Sequence, residues 1–164
     1  MEARFFSETA PFPSAVLAHH YPRVPNLGDM LQIKGSDYEN QITVLAGGTP
    51  CQTFSTTGNR QGLADPRGGL TLAFGALAFE TRAPWLLWEN VPGVLSSDKG
   101  RAFAALLSML TRQKVQPPER GWLNSGVCTA APGGYSVAWR VLDAQYTRAP
   151  RCPAVPQRRR RVWL

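Results

Sequence analysis

The chain has 164 residues, 43% of them hydrophobic, with a formal charge of +7 and an isoelectric point near 9.9. This length accommodates one core and one domain rather than two, and no apolar run is long enough to span a bilayer. The start Met1-Glu2-Ala3-Arg4 lacks the basic-then-apolar layout of a secretion signal, so the expectation is a soluble, cytoplasmic protein with no membrane partner. Cys51, Cys128 and Cys152 are far apart and show no metal-ligand spacing, which argues against a structural metal and against a disulfide framework.

In chain order, Arg4 to Glu8 reads as the end of a strand, and Pro13 to His20 as a short helix entered at a proline. A proline-broken loop then leads to Asp29. Gln41 to Ala46 is short, apolar and β-branched, a buried strand that runs into Gly47-Gly48-Thr49-Pro50-Cys51-Gln52-Thr53-Phe54-Ser55. Two glycines allow the backbone to turn and to approach a ligand, and Pro50 fixes its own φ and holds Thr49 extended. A cysteine is more often a small buried apolar residue. On such a ledge, Cys51 reads instead as a nucleophile.

A glycine-rich polar stretch from Thr57 to Gly69 follows, and apolar residues at helical spacing (Leu70, Phe74, Leu77, Ala78) predict a helix over 70–82. Trp85-Leu86-Leu87-Trp88 reads as a strand covered on both faces, with Glu89-Asn90 just past its carboxyl end. Ligands bind at that end of parallel α/β sheets. Gly100 to Leu110 is an amphipathic helix, and Val115 to Gly134 reads as a Pro/Gly-rich connector without a period. Tyr135 to Asp143 alternates as a strand does. From Arg140 to Arg161 there are seven arginines against one acid, Asp143, a concentration of charge that suits a polyanion.

Five of these blocks, in order, resemble the DNA cytosine-5 methyltransferases: the carboxylates Glu8 and Asp29, the Pro-Cys-Gln loop, Asp65 with Arg67, Glu-Asn-Val at 89–91, and Gln157-Arg158-Arg159-Arg160-Arg161. The resemblance implies a Rossmann-like α/β fold that uses S-adenosylmethionine, with a mostly parallel sheet and helices on both faces. It would form a single partial catalytic domain over residues 1–164, without the first cofactor-binding strand and the target-recognition domain that family members carry.

The implied roles follow residue by residue. Cys51 would add to C6 of a cytosine flipped out of double-stranded DNA. Glu89, expected in a partly apolar site that favours its protonated form, would share a proton with N3. Arg161 would bind O2, and Arg159 would support a phosphate or the loop. Glu8 would hold the ribose hydroxyls and Asp29 the adenine amino group of the cofactor, with Met30 and Pro50 beside them. Gln52, Ser55, Asn90, Val91, Gln157, Arg158 and Arg160 would meet the base or the DNA. Alternation places Gln157, Arg159 and Arg161 on one face. A complementing polypeptide could supply the missing parts. Two other readings stay open: an RNA cytosine-5 methyltransferase, and a non-catalytic remnant that binds nucleic acid through its arginines.

Overall fold

The computed structural model describes residues 2–49, 69–148 and 152–164. Within them the sheet order is β1-β2-β5-β4-β3, from β1 (Val44–Gly47), β2 (Trp85–Asn90), β3 (Ser125–Cys128), β4 (Val137–Asp143) and β5 (Arg160–Trp163). β1 and β2 are parallel, and helix α2 (Gly69–Thr81) lies between them in sequence. The remaining pairings, β2 with β5, β5 with β4 and β4 with β3, are antiparallel. The fold is α/β as expected, but the sheet is mostly antiparallel rather than mostly parallel. Parallel neighbours need a long crossover, and only β1 and β2 are adjacent strands joined by a helix; β3 and β4 are joined by a short glycine-containing turn instead.

The two long helices cover one face of this sheet. Helix α2 contributes Phe74, Leu77 and Ala78 to the core, and helix α3 (Arg101–Thr111) contributes Phe103, Leu106, Leu107 and Leu110. They meet Leu45, Trp88, Val137, Trp139 and Val162, which all project from the same side of their strands. The helices approach closely because Gly75 is small. A Cβ there would lie 2.8 Å from the Met109 thioether. Each helix ends on a left-handed arginine, Arg82 at φ 53° and Arg112 at φ 54°, which stops the ladder without a glycine.

The expectation that β2 is covered on both faces fails for a definite reason. Trp88 is 1% exposed, but Trp85 is 69% exposed and Leu87 42%, so burial alternates along the strand with only the helix side covered among the described residues. Four apolar residues in a row make the two faces look alike in sequence.

The N-terminal part is simpler than expected. Helix α1 (Pro11–His20) begins two residues before the expected proline, at Pro11. The expected strand around Phe6 is one parallel bridge to Asn26, closed by Phe6 N–H to Pro25 O (2.9 Å) and Leu27 N–H to Phe6 O (2.8 Å).

One strand is not foreseen by the sequence pattern. β3 lies inside the stretch that reads as connector, and its Gly126 packs under Trp139, which stacks edge-on with Phe103 and Trp122 at 5.3 and 5.6 Å between ring centroids. A Cβ at Gly126 would lie 2.3 Å from the Trp139 ring. Gly126→Ala is therefore expected to cost about 1–3 kcal/mol through overpacking. Gly69→Ala, with nothing within 4 Å of the added carbon, is the control. Urea denaturation of both variants checks this, and equal midpoints for Gly126→Ala and the parent would refute the packing argument.

Candidate active site

The site is assembled at the carboxyl end of β2, whose alternation divides three consecutive residues between two tasks. Trp88 and Asn90 point to the helix side and are buried, while Glu89 points to the other face. A buried indole N–H and a buried amide need partners. Both find them on Thr49, the last described residue before the Pro-Cys-Gln loop. Trp88 Nε1 donates to Thr49 Oγ1 at 2.9 Å, and Asn90 Nδ2 donates to the Thr49 carbonyl at 2.9 Å. The Thr49 hydroxyl also lies 2.8 Å from that of Thr71 on α2. Val91 N–H closes the set on Asn90 Oδ1 at 2.8 Å.

This arrangement changes the reading of Asn90. It is 4% exposed and both ends of its amide are engaged, which ties Thr49 to the end of β2. Its neighbour Val91 is 43% exposed. Thr49, Thr71 and Trp88 contribute to the site without having been singled out by the sequence reasoning. The available signal was a tryptophan buried in a strand, which needs a polar partner for its N–H.

Glu89 meets the arginines. Arg161 Nε lies 2.8 Å from Glu89 Oε1, and an Arg159 terminal nitrogen lies 3.7 Å from the same oxygen. The register explains the reach. Glu89 is directly opposite Trp163, so Arg161, two residues back on the same face of β5, is its diagonal cross-strand neighbour. The expected partly apolar setting of Glu89 is thus replaced by two guanidinium groups, from Arg161 on β5 and Arg159 just before it, about seventy residues further along the chain. Arg161 NH1 also donates to the Arg160 carbonyl at 2.8 Å.

The diglycine is explained by space. Neither Gly47 nor Gly48 has a positive φ. A Cβ at Gly47 would lie 2.7 Å from the Phe74 ring, and one at Gly48 would lie 3.3 Å from Glu89 Oε2. The backbone leading to the cysteine loop therefore passes close to Glu89 Oε2.

Beyond β1, which ends the sheet on this side, lies a cavity of about 1480 Å³. Its walls include Glu8, Asp29, Met30, Gly47 and Gly48, so the expected cofactor residues and the loop root share one space. Glu8 Oε1 accepts from Ala10 N–H at 2.8 Å, and Asp29 Oδ1 caps the turn Met30–Gln32 by accepting from Leu31 N–H at 2.9 Å. Each carboxylate has its second oxygen without a hydrogen bond among the described residues. These are acceptor groups suited to a ligand that presents hydroxyl and amino donors.

Gln157, Arg158 and Arg160 are exposed along the approach to β5 and at its start. The expected one-sided alternation holds for Arg159 and Arg161, which both reach Glu89; the strand begins only at Arg160, so it does not extend back to Gln157. Pro50, Cys51, Gln52, Ser55, Asp65 and Arg67 lie outside the described residues. No helix among the described residues is long and apolar enough to cross a membrane.

Comparison with known proteins agrees with this geometry. The chain is 40% identical over 199 aligned positions to a DNA N-6-adenine-methyltransferase of Escherichia phage P1, covering 100% of this chain and 25% of that protein. It is 31% identical over 163 positions to the type II methyltransferase M2.BsuMI of Bacillus subtilis, covering 97% of this chain and 34% of that protein. It thus spans about a quarter to a third of these relatives. Among solved structures, a DNA modification methyltransferase encoded in an Escherichia coli prophage superposes with a TM-score of 0.63 at 17% identity, over 99% of this chain and 39% of that one. Dnmt2 methyltransferase of S. pombe superposes with a TM-score of 0.57 at 14% identity, over 99% of this chain and 42% of that one. Both carry the S-adenosylmethionine-dependent methyltransferase fold. The family model for C-5 cytosine-specific DNA methylases matches residues 1–113, which include the Pro-Cys-Gln loop and Glu89. By that match this chain belongs to the C-5 cytosine-specific DNA methylase family, whose methyl donor is S-adenosylmethionine.

Proposed function

We propose that this chain carries the catalytic chemistry of DNA cytosine-5 methylation. The observation that supports it most is the convergence on Glu89: two arginines hold one carboxylate oxygen, and the root of the cysteine loop crosses the other. Cytosine C5 is a weak nucleophile inside a base stack, so the base must be flipped out and activated. Cys51 as thiolate forms a bond to C6, and the C5–C6 π pair moves toward C5 and the N3 side of the ring. Glu89, oriented by Arg161 and Arg159, accepts a hydrogen bond from the N4 amino group and relays a solvent-derived proton to N3, taking it back once C5 carries the methyl group. An N–H group of Arg161 other than those that meet Glu89 and the Arg160 carbonyl would donate to O2.

Glu8 and Asp29 fit the cofactor: their spare oxygens would accept from the ribose hydroxyls and the adenine amino group, with Met30 on the same wall. When bound, S-adenosylmethionine supplies an electrophilic methyl group to C5. Loss of the C5 proton to solvent then restores the C5–C6 double bond and expels Cys51 as the thiolate. The single partial domain expected from the sequence, and a second polypeptide carrying the segments that the longer relatives have, belong to the same proposal.

The name of the phage P1 relative favours a second reading, methylation of adenine N6. That name describes a protein of which this chain spans 25%, whereas the cytosine reading rests on residues within the chain itself. An exocyclic amine needs no cysteine addition, so the two readings separate by product. Digestion of methylated duplex DNA should yield 5-methylcytosine; N6-methyladenine alone would favour the second reading. Parallel assays on transfer RNA separate the RNA alternative.

Duplex DNA containing 5-fluorocytosine should trap an adduct on Cys51, because fluorine cannot leave as a proton does. The assay uses S-adenosylmethionine and, where needed, the complementing segments. An adduct that persists in Cys51→Ser, or that maps to Cys128 or Cys152, would overturn the assignment. Glu89→Gln keeps the shape but not the proton, and is expected to slow methyl transfer by about 10²–10⁴. An unchanged single-turnover rate would remove Glu89 from the mechanism. Arg158 and Arg160 are the arginines of the block not paired with Glu89. Their joint replacement by alanine should lower the slope of log affinity against log salt by about 0.9 for each phosphate they neutralise. A slope equal to that of the parent would show that they do not meet phosphate.

A further inference from the structure

Asp143 is the one acid in the arginine-rich stretch from Arg140 to Arg161, and the site described above does not use it. It is the last residue of β4 and is opposite Arg160 in the β4–β5 register. Its carboxylate extends that ladder by one step. Oδ1 accepts from the backbone N–H of Arg159 at 3.1 Å and from that of Gln145 at 3.3 Å, and Oδ2 accepts from the Gln145 side-chain amide at 3.0 Å. On the other side of the same residue, Ala144 N–H donates to the Arg159 carbonyl at 3.0 Å. Both backbone polar groups of Arg159 are therefore held from the end of β4, although Arg159 precedes the first residue of β5.

The Asp143 carbonyl is itself tied down. It accepts from Tyr146 N–H at 3.0 Å and from the Thr147 hydroxyl at 2.8 Å, which fixes the turn that presents the carboxylate. Burial acts to raise the Asp143 pKa, but the hydrogen bonds from Gln145 and Arg159 and the charge of Arg160 outweigh it and lower it below the ordinary carboxylate value. Arg159, bracketed in this way, lies between Asp143 on β4 and Glu89 on β2. The contacts cross three strands.

We propose that Asp143 is a positioning residue for the Glu89 site: its carboxylate fixes the backbone of Arg159 at the start of β5, so that Arg159 and Arg161 both reach Glu89. It touches neither base nor cofactor and acts through the arginines. The inference rests on the reading of Glu89 as the cytosine-binding acid, but its first measurement does not depend on that reading. Hydrogen bonds rather than net charge carry the effect, so asparagine, whose carbonyl can accept the same two backbone N–H groups, should substitute.

The test uses the full chain and nitrogen-15 NMR, with two readouts: amide exchange at Arg159, and the Nε–H signals of Arg159 and Arg161, identified by their change in Glu89→Gln. In Asp143→Ala, exchange at the Arg159 amide should rise by about tenfold, the factor set by one hydrogen bond's worth of free energy, and the Glu89-dependent Nε–H signals should disappear. Asp143→Asn should restore both. Thr147→Ala, which removes a bond to the Asp143 carbonyl but not to its carboxylate, should leave both in place. Retention of the arginine signals in Asp143→Ala overturns the proposal, as does an Asp143→Asn variant as impaired as alanine. If Asp143→Ala does not fold, Asp143→Glu decides, because it moves the carboxylate by one methylene: displaced arginine signals support the bracket and unchanged ones refute it. If Arg159 exchange rises as expected but Glu89→Gln binds and methylates DNA as the parent does, the bracket stands and the reading of Glu89 fails.

Discussion

The structure depends on one buried polar junction, the engagement of Thr49 by Trp88 and Asn90. An indole N–H and an amide placed 1% and 4% exposed in an apolar core would each cost on the order of 1–3 kcal/mol if unpaired. Thr49 supplies both partners, one from its hydroxyl and one from its carbonyl. The segment after β1 is thereby fixed to the end of β2 and cannot drift along the sheet edge. Strand alternation does the rest: with Trp88 and Asn90 turned toward the helices, Glu89 must face the other way. Neighbouring residues of one strand thus hold Thr49 on one face and present the acid on the other.

Strand direction completes the site. β5 runs antiparallel to β2, which sets Trp163 against Glu89 and leaves Arg161 on the diagonal of the same face. Running the other way, β5 would carry its following residues, rather than Arg159 and Arg161, along that diagonal. The antiparallel half of the sheet is thus part of how the arginines arrive. β1 and β2, the parallel pair, carry the features that belong at the carboxyl ends of such strands: the loop root on one and the acid on the other.

How much of this is legible in the sequence follows from the range of the interactions concerned. Helices α2 and α3 and strand β2 are readable because periodicity and apolar runs are local. β3 is not, because Gly126 and its polar neighbours look like loop until Trp139 is known to lie over them. The direction of strand pairing is also hidden, since it depends on which strands become neighbours rather than on what any strand contains. Glu89 can be located from its strand, but its surroundings cannot: the arginines lie about seventy residues further along the chain. The engagement of the Asn90 amide is hidden in the same way, because only the position of Thr49 shows it. Glu8 and Asp29 stand out in the sequence as acceptors, and both line the cavity beyond β1.

The Glu89 cluster contributes little to folding. The Arg159 side chain is 50% exposed, so solvent screens its pair to about 0–1 kcal/mol, and those of Arg161 and Glu89 are 24% and 27% exposed, so the cost of desolvating them offsets much of their attraction. Against that small return, the chain orders two long side chains and brings a third strand to the end of β2. Holding charged donors where charge will develop is worth far more during reaction than in the folded ground state, because no reorganisation is then required. Gly48 fits the same pattern: it gives up the stiffness of a side chain where a Cβ would lie 3.3 Å from Glu89 Oε2. Stability is supplied on the helix side of β2, by Trp88 and its neighbours. The opposite face carries the Glu89 cluster on which the proposed chemistry rests, so the groups proposed for reaction lie apart from those that hold the core.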